Sequence, residues 1–197
     1  MSDERALIRR CKQGDESAFA ELVALKRQRV FRIALNIIGP EDDAKDISQL
    51  AFVRLWRGIG SFDESGRFDP WFFRIVVHLA IDHWRRARRG PDLAGAGEID
   101  SATPASAGGS VPGTPASEQE RAVYRADIRR IFNEAALRLT PLQRAAFTLR
   151  EIEGLSTEDV AGAMGVRAST VRNHLMQARK ILQDWLRRRY PEIAGDR

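Results

Sequence analysis

Apolar residues recur every three or four positions along most of the chain, which is the spacing of one face of an α-helix. Near the amino terminus this pattern predicts a long helix with the apolar stripe Phe19, Leu22, Val23, Val30, Ile33, Ala34 and Ile37. Asp15 is a suitable N-cap for that helix, and Gly39-Pro40 is a stop signal. Further helices are predicted over residues 41–58 and 67–88, with a short loop between them.

The predicted helix over residues 67–88 is rich in large apolar side chains. Its stripe consists of Trp71, Phe72, Ile75, Val76 and Leu79. We interpret Phe72, Ile75, Val76 and Leu79 as core residues, because their spacing places them on one side of the helix.

The carboxy-terminal part repeats the helical pattern. A helix is predicted over residues 118–139, followed by a capping box at Thr140-Pro141-Leu142-Gln143 and a weaker one that begins at Ser156. No segment has the two-residue period of a strand. We therefore predict an all-α fold.

Between the two helical parts lies a segment of small and polar residues, GPDLAGAGEIDSATPASAGGSVPGTPAS, from Gly90 to Ser117. Such a segment cannot bury enough apolar surface to offset its ordering entropy, so we predict a flexible linker. Its root-mean-square span is roughly 30 Å, and fully extended it reaches about 95 Å. The predicted organisation is two small helical domains, residues 1–90 and 119–197, joined by a linker over 91–118.

Charge divides the chain in the same way. Residues 1–90 carry 17 Lys and Arg against 13 Asp and Glu, and residues 120–197 carry 15 against 10. The segment 91–119 has four acidic residues and no basic one. The net charge of +5 and the pI of about 10.0 favour a polyanionic partner such as nucleic acid.

Other classes of protein fit the sequence less well. A single cysteine, Cys11, excludes a disulfide framework and a cysteine-rich zinc site. The amino terminus lacks the apolar core of a signal peptide, and no apolar run is long enough to span a membrane. We therefore expect a cytoplasmic protein without membrane insertion.

The segment from Ser156 to Leu182 has the pattern of a helix-turn-helix. Val160, Ala161 and Met164 form a short apolar face, and Gly165 follows where a helix ends in the left-handed conformation. A second helix then has the buried stripe Val171, Leu175, Ala178, Leu182 and Trp185. Its opposite face and the preceding turn carry hydrogen-bond donors and cations: Arg167, Ser169, Thr170, Arg172, Asn173, Gln177 and Lys180.

That mixture is typical of a recognition helix, which needs donors for base edges and cations for phosphates. We expect His174 at the edge of the stripe to pack or to face a phosphate. Similar helices occur in activators of the response-regulator type, so this motif predicts duplex DNA binding without deciding the function.

Residues 61–89 interleave aromatic residues with arginines. Aromatic faces stack on unpaired bases, and arginines hold the phosphate backbone, so a helix with both suits a DNA strand that has left the duplex. The residues proposed for this contact are Phe62, Arg67, Phe68, Trp71, Arg74, His78, Arg85 and Arg86.

We find no sequence signature of an enzyme. Phosphate-binding glycine loops and the H-E-x-x-H motif are absent. His78 and Asp82 share a helix face, but His83 is rotated from them by about 100° per residue, so no metal site is predicted. Asp82 is expected to pair with Arg85 or Arg86. We predict no catalytic residue and no cofactor.

Two segments together resemble a known family. DDAKDISQLAFVRLWRGI and PWFFRIVVHLAIDHWRRARR resemble region 2 of extracytoplasmic-function sigma factors, and LTPLQRAAFTLREIEGLSTEDVAGAMGV resembles their region 4. The resemblance covers nearly the whole chain apart from the linker and the ends. It implies an alternative sigma factor, which binds core RNA polymerase and directs it to promoters.

The resemblance also implies roles for individual residues. Region 2 is expected to dock on the clamp coiled coil of the polymerase through Asp43, Asp46, Gln49 and Arg54. Trp71, Arg74 and His78, with the loop over 61–69, are expected to recognise and help open the −10 element. Arg172, Asn173 and their neighbours are expected to read the −35 element, with region 4 near the polymerase flap. The linker is expected to run toward the RNA exit path.

Three positions depart from the family pattern: Leu50 replaces a common Glu, His78 a common Asn, and Arg167 a small capping residue. An anti-sigma factor is implied as a further partner. Two alternatives remain at this stage. One is a helix-turn-helix regulator of duplex operators, and the other is a sigma mimic that binds an anti-sigma factor.

Overall fold

A computed structural model describes residues 4–88 and 134–191. The predicted all-α fold is confirmed, since the described residues contain helices and no strand. The elements are α1 (Glu4–Lys12), α2 (Glu16–Ile38), α3 (Glu41–Gly58), a 3-10 turn (Ile59–Ser61), α4 (Phe68–Arg88), α5 (Pro141–Phe147), a π-helical segment (Thr148–Ile152), α6 (Thr157–Met164) and α7 (Ala168–Arg189). The predicted linker and most of the predicted helix over 118–139 lie outside the described residues. None of the described helices meets the length and hydropathy needed to cross a membrane.

The boundaries of the amino-terminal helices follow from local chemistry. The Asp15 carboxylate accepts the backbone N–H of Ala18, as expected of an N-cap. Gly39 ends α2 with φ of 100°, a value that side chains disfavour, and its N–H bonds to the carbonyl of Leu35. The predicted boundaries of α3 are confirmed, and α4 begins one residue later than predicted.

The capping signals of the carboxy-terminal helices are also confirmed. Thr140 and Gln143 form both hydrogen bonds of the capping box. The Ser156 hydroxyl oxygen accepts a hydrogen bond from the backbone N–H of Asp159, which is one of the two hydrogen bonds of a capping box. Gly165 ends α6 in the left-handed region with φ of 67°, as the helix-turn-helix pattern predicted.

Helix α1 was not predicted from the sequence. It buries Leu7, Ile8 and Cys11 against the start of the bundle. Its Glu4 also forms an ion pair at 2.8 Å with the buried ammonium of Lys26 on α2. The helix therefore completes the core of the amino-terminal group.

Helix α4 is buried on two opposite sides. Phe72 packs against Phe52 of α3, with ring centroids 5.4 Å apart. Ile81 lies nine residues further on, about 180° around the helix, and is only 6% exposed. Helix α6 packs against α4, so one hydrophobic core joins both groups of helices.

Candidate nucleic-acid interface

A cationic cavity of about 450 Å³ opens between α3 and α4. Its lining consists of Arg54, Arg57, Gly58, Trp71, Arg74, Ile75 and His78. Arg54, Arg57 and Arg74 form no ion pair with any residue in 4–88 or 134–191. Three uncompensated guanidinium groups beside an indole ring suit an anionic, aromatic ligand such as a nucleotide.

Trp71 is held at this cavity by two other aromatic side chains. Its ring centroid lies 5.0 Å from that of Phe62 and 5.9 Å from that of Phe68. Both phenylalanines are buried, and their rings meet edge to face. Their direct contact with DNA stays a prediction, and in the structure both rings pack against Trp71.

His78 lies at the rim of the cavity, half-buried. Burial and the positive charge of Arg74 lower the pKa of its imidazole. The lowered pKa favours the uncharged ring at neutral pH, which has one donor and one acceptor nitrogen. Its Nε2 atom also lies 3.6 Å from the point that a Cβ on Gly165 would occupy, so the helix-turn-helix borders this rim.

The other cations proposed for the −10 element occupy the two ends of α4. Arg67, just before the helix, forms an ion pair with Asp159 of α6. At the far end Asp82 interacts with two arginines, as predicted. Arg85 lies 3.9 Å from its carboxylate, and Arg86 donates to its backbone carbonyl at 3.2 Å.

Helix α7 has the two faces that the sequence predicted. Val171, Leu175, Ala178 and Leu182 are buried, and Trp185 packs against the cluster that contains Ala178 and Leu182. The residues proposed for the −35 element are fully or partly exposed: Arg167, Ser169, Thr170, Arg172, Asn173, Gln177 and Lys180.

Two of these residues have further structural features. The side-chain oxygen of Gln177 accepts a hydrogen bond at 2.9 Å from Gln143 of the α5 capping box. Arg167 is the N-cap of α7 and makes no side-chain capping bond. The Arg167 guanidinium therefore remains at the start of the recognition helix without a capping role.

The residues proposed for polymerase binding lie along one side of α3 by their spacing. Asp46, Gln49, Leu50 and Val53 share one face of α3 by their spacing, and Leu50 and Val53 are 49% and 46% exposed. Asp43 lies 3.7 Å from His83 of α4. Arg54 lies one helical turn from Leu50, at the edge of that face, and it also lines the cationic cavity.

Sequence reasoning missed Arg57 as a site residue. Its signal was the three-residue spacing from Arg54, which places two arginines on neighbouring positions of a helix surface. The cavity that they share with α4 depends on how α3 and α4 pack, which their individual sequences do not specify.

Comparisons with known proteins agree with this arrangement. The family model for sigma-70 region 2 matches residues 22–90, and the model for sigma-70 region 4 matches residues 129–182. The chain is 31% identical over 189 residues to the RNA polymerase sigma-H factor of Pseudomonas aeruginosa, covering 93% of this chain and 96% of the relative. It is 32% identical over 185 residues to the ECF RNA polymerase sigma factor SigE of Mycolicibacterium smegmatis, covering 92% and 67%.

A solved structure supports the fold. The sigma factor RpoE of Bartonella quintana, determined in complex with the anti-sigma factor NepR, superimposes with a TM-score of 0.64 at 24% identity. The alignment covers 86% of this chain and 96% of that one. From the two family matches in order, the full-length relatives and the shared fold, we conclude that the chain belongs to the extracytoplasmic-function sigma factors of the sigma-70 family, which direct RNA polymerase to promoters.

Proposed function

We propose that the cavity between α3 and α4 receives an unpaired nucleotide of the opened −10 element. Arg54, Arg57 and Arg74 are unpaired cations among the described residues and suit the phosphates of a single strand. Trp71 supplies a ring on which a base can stack. A neutral His78 at the rim can both donate to and accept from a base edge.

We propose that α7 reads the −35 element in duplex DNA. Arg172 and Asn173 are exposed near its amino-terminal end, which is the part of a recognition helix that reaches base edges. Arg167 and Lys180 suit the flanking phosphates. The bond from Gln143 fixes one end of the Gln177 amide and leaves its two N–H donors for DNA.

We propose that the α3 face with Asp46, Gln49, Leu50 and Val53 docks on the polymerase clamp. Exposed apolar side chains flanked by polar ones are typical of a protein-binding patch. Leu50 then contributes buried apolar surface to the interface, at a position where members of the family commonly carry a charged Glu. Arg54 is assigned to DNA rather than to this surface.

The two helical parts and the segment between them then have separate roles. Residues 1–90 and 119–197 act as separate promoter-reading domains, and 91–118 tethers them. The chain contributes no catalytic residue, because the polymerase supplies the chemistry. It acts in the cytoplasm, where polymerase and chromosome are, and an anti-sigma factor controls it.

The observation that carries this proposal is the cavity, with three arginines that pair with no acidic residue in 4–88 or 134–191, beside Trp71 and His78. The test combines the purified chain, core polymerase of the same bacterium and a library of its genomic fragments in transcription reactions. Transcripts that start at shared upstream motifs, and that vanish when the chain is left out, support the proposal. Transcripts that do not depend on the chain would refute it.

The same cavity distinguishes the two alternatives. A regulator of duplex operators has no use for an aromatic site suited to an unpaired base, and a sigma mimic does not need to bind DNA at all. Binding to a fork-junction DNA together with core polymerase separates them. A mimic gives no complex, and a regulator binds duplex operators whether or not polymerase is present.

A further inference from the structure

The side chain of Gln143 connects the start of α5 to the recognition helix. It is buried, with only 7% of its surface exposed, which is uncommon for a glutamine. Its Oε1 atom accepts a hydrogen bond at 2.9 Å from the backbone N–H of Thr140, and its Nε2 atom donates one at 2.9 Å to Oε1 of Gln177. One amide group therefore links the capping box to a residue proposed to bind the −35 element.

These two hydrogen bonds fix the orientation of both amide groups. A backbone N–H can only donate, so the end of the Gln143 amide that faces Thr140 is its oxygen. The other end is then the NH₂ group, which also only donates, so the atom of Gln177 that faces it is an oxygen. The Gln177 NH₂ group consequently lies on the side away from Gln143.

The backbone that carries Gln177 is also held in place. The next residue, Ala178, has no exposed surface and belongs to a buried cluster with Ala135, Leu139 and Leu182. Helices α5 and α7 pack against each other, and Gln177 itself is exposed. An exposed amide with a fixed oxygen end therefore presents N–H donors to whatever binds the surface of α7.

The fixed orientation restricts which base edge Gln177 can read. Glutamine pairs with adenine through two hydrogen bonds, in which the amide oxygen accepts from N6 and the amide nitrogen donates to N7. In Gln177 the oxygen is turned toward Gln143, so this pairing loses one of its two bonds. The N–H donors that remain match the O6 and N7 acceptors of guanine or the O4 acceptor of thymine.

We propose that Gln143 is a positioning residue that sets the base preference of Gln177 within the −35 element. It keeps Gln177 a donor, so the contacted base is guanine or thymine rather than adenine or cytosine. This inference rests on the proposed function of α7 and adds the chemical class of the base edge. Reversing the Gln177 amide should reverse that class.

The test reverses the direction of the hydrogen bond with Gln143→Glu. A carboxylate there still accepts from the Thr140 N–H, because glutamate is a natural partner in a capping box. Its second oxygen only accepts, so the Gln177 amide turns its NH₂ group inward and its oxygen toward DNA. That oxygen matches the exocyclic amino groups of adenine and cytosine.

The measurement uses holoenzyme, formed from core polymerase and the full chain, and a promoter obtained from the genomic transcription reactions. The −35 element of that promoter is randomised in duplex DNA, and sequencing of the bound fraction gives the base preference at each position. Gln177→Ala should lose preference at one position, which identifies its contact. There we expect the wild type to favour guanine or thymine, and Gln143→Glu to favour adenine or cytosine, each by about fivefold or more.

Gln183→Glu is the matched control, because it adds the same charge at an exposed position of α7, six residues after Gln177. It should weaken binding without changing a base preference. Circular dichroism shows whether Gln143→Glu is folded. If that variant has lost helix, Gln143→Leu replaces it. Leucine removes the bond to Gln177 without adding charge, so adenine should gain relative to guanine at the same position.

Three results would overturn the proposal. The first is an unchanged preference in the folded Gln143 variant at the position that Gln177→Ala affects. The second is a wild type that favours adenine or cytosine there, and the third is a Gln177→Ala variant with the preferences of the wild type. Arg172→Ala distinguishes these results from failure of the proposed function, because it alters no preference either if α7 does not read the −35 element.

Discussion

The Nε2 atom of His78 lies 3.6 Å from the point where a Cβ on Gly165 would sit. This contact joins the helix proposed to open DNA to the turn of the motif proposed to bind duplex DNA. Each residue has its own physical constraint: Gly165 adopts a positive φ, and His78 has a depressed pKa. Both constraints lead to measurable predictions.

Gly165→Ala should destabilise the protein because an alanine is strained at φ of 67°. The expected cost is about 1–2 kcal/mol, the penalty for a side chain in the left-handed region. Steric exclusion adds little, since 3.6 Å is an ordinary contact distance. Unfolding in guanidinium chloride measures the change in the free energy of unfolding.

Gly162→Ala is the control: this glycine lies within α6 with open space around it, so alanine should stabilise the helix. Similar losses in both variants would contradict this argument.

The stability of the protein should fall as pH drops below about 6.5. Burial and Arg74, with smaller contributions from Arg54 and Arg85, lower the pKa of His78 from 6.5, and Asp82 opposes them. Below that value the unfolded chain binds more protons than the folded one, so the free energy of unfolding decreases. His174, whose pKa burial also lowers, acts in the same direction.

Unfolding midpoints between pH 7.5 and 5.5 measure this dependence. His78→Asn should flatten the curve, and His78→Asn combined with His174→Asn should flatten it further. His83→Asn, which removes a histidine 3.7 Å from Asp43, is the comparison variant. A stability curve for His78→Asn that runs parallel to that of the wild type would rule out His78 as a source of the pH dependence.

Trp71→Ala and Arg172→Ala should impair different steps of initiation. Trp71 borders the proposed single-strand cavity, whereas Arg172 is exposed on the recognition helix. The first variant should capture duplex promoter DNA normally but lose permanganate reactivity of thymines in the opened region. The second should weaken capture by about 1–3 kcal/mol, the cost of one base contact. Equal melting by both promoter complexes at saturating protein would argue against this division.

Arg54→Ala should leave core polymerase binding unchanged and reduce promoter opening. The reason is its position in the lining of the cationic cavity, one helical turn from Leu50 at the edge of the apolar patch. Leu50→Asp should do the opposite, because it places a charge on the apolar patch proposed to meet the clamp. Equilibrium binding to labelled core polymerase and open-complex formation at saturation separate the two effects. Loss of polymerase affinity in Arg54→Ala would indicate instead that this residue contacts polymerase.

Local chemistry made the helix boundaries predictable. Asp15, Thr140 and Gly165 act within one helical turn, so their roles follow from neighbouring residues. The buried stripe of α7 was predictable for the same reason, because the helix has a single apolar face and that face shows which side is buried.

Contacts between distant segments were not predictable in this way. The apolar run of α4 indicated a core face through Phe72, but Val77 and Ile81 are buried by a helix that follows about 75 residues later in the chain. Burial there depends on docking of the second group of helices. The cavity also forms only when α3 and α4 pack, which is why Arg54 was predicted to bind polymerase alone and Arg57 was not singled out.

The two-sided burial of α4 has a consequence for the lifetime of this protein in the cell. When the helix-turn-helix domain moves away, Val77 and Ile81 lose their cover, and apolar surface of that kind invites aggregation and proteolysis. A chain in which the two groups of helices have separated should therefore be more sensitive to aggregation and proteolysis than the joined one.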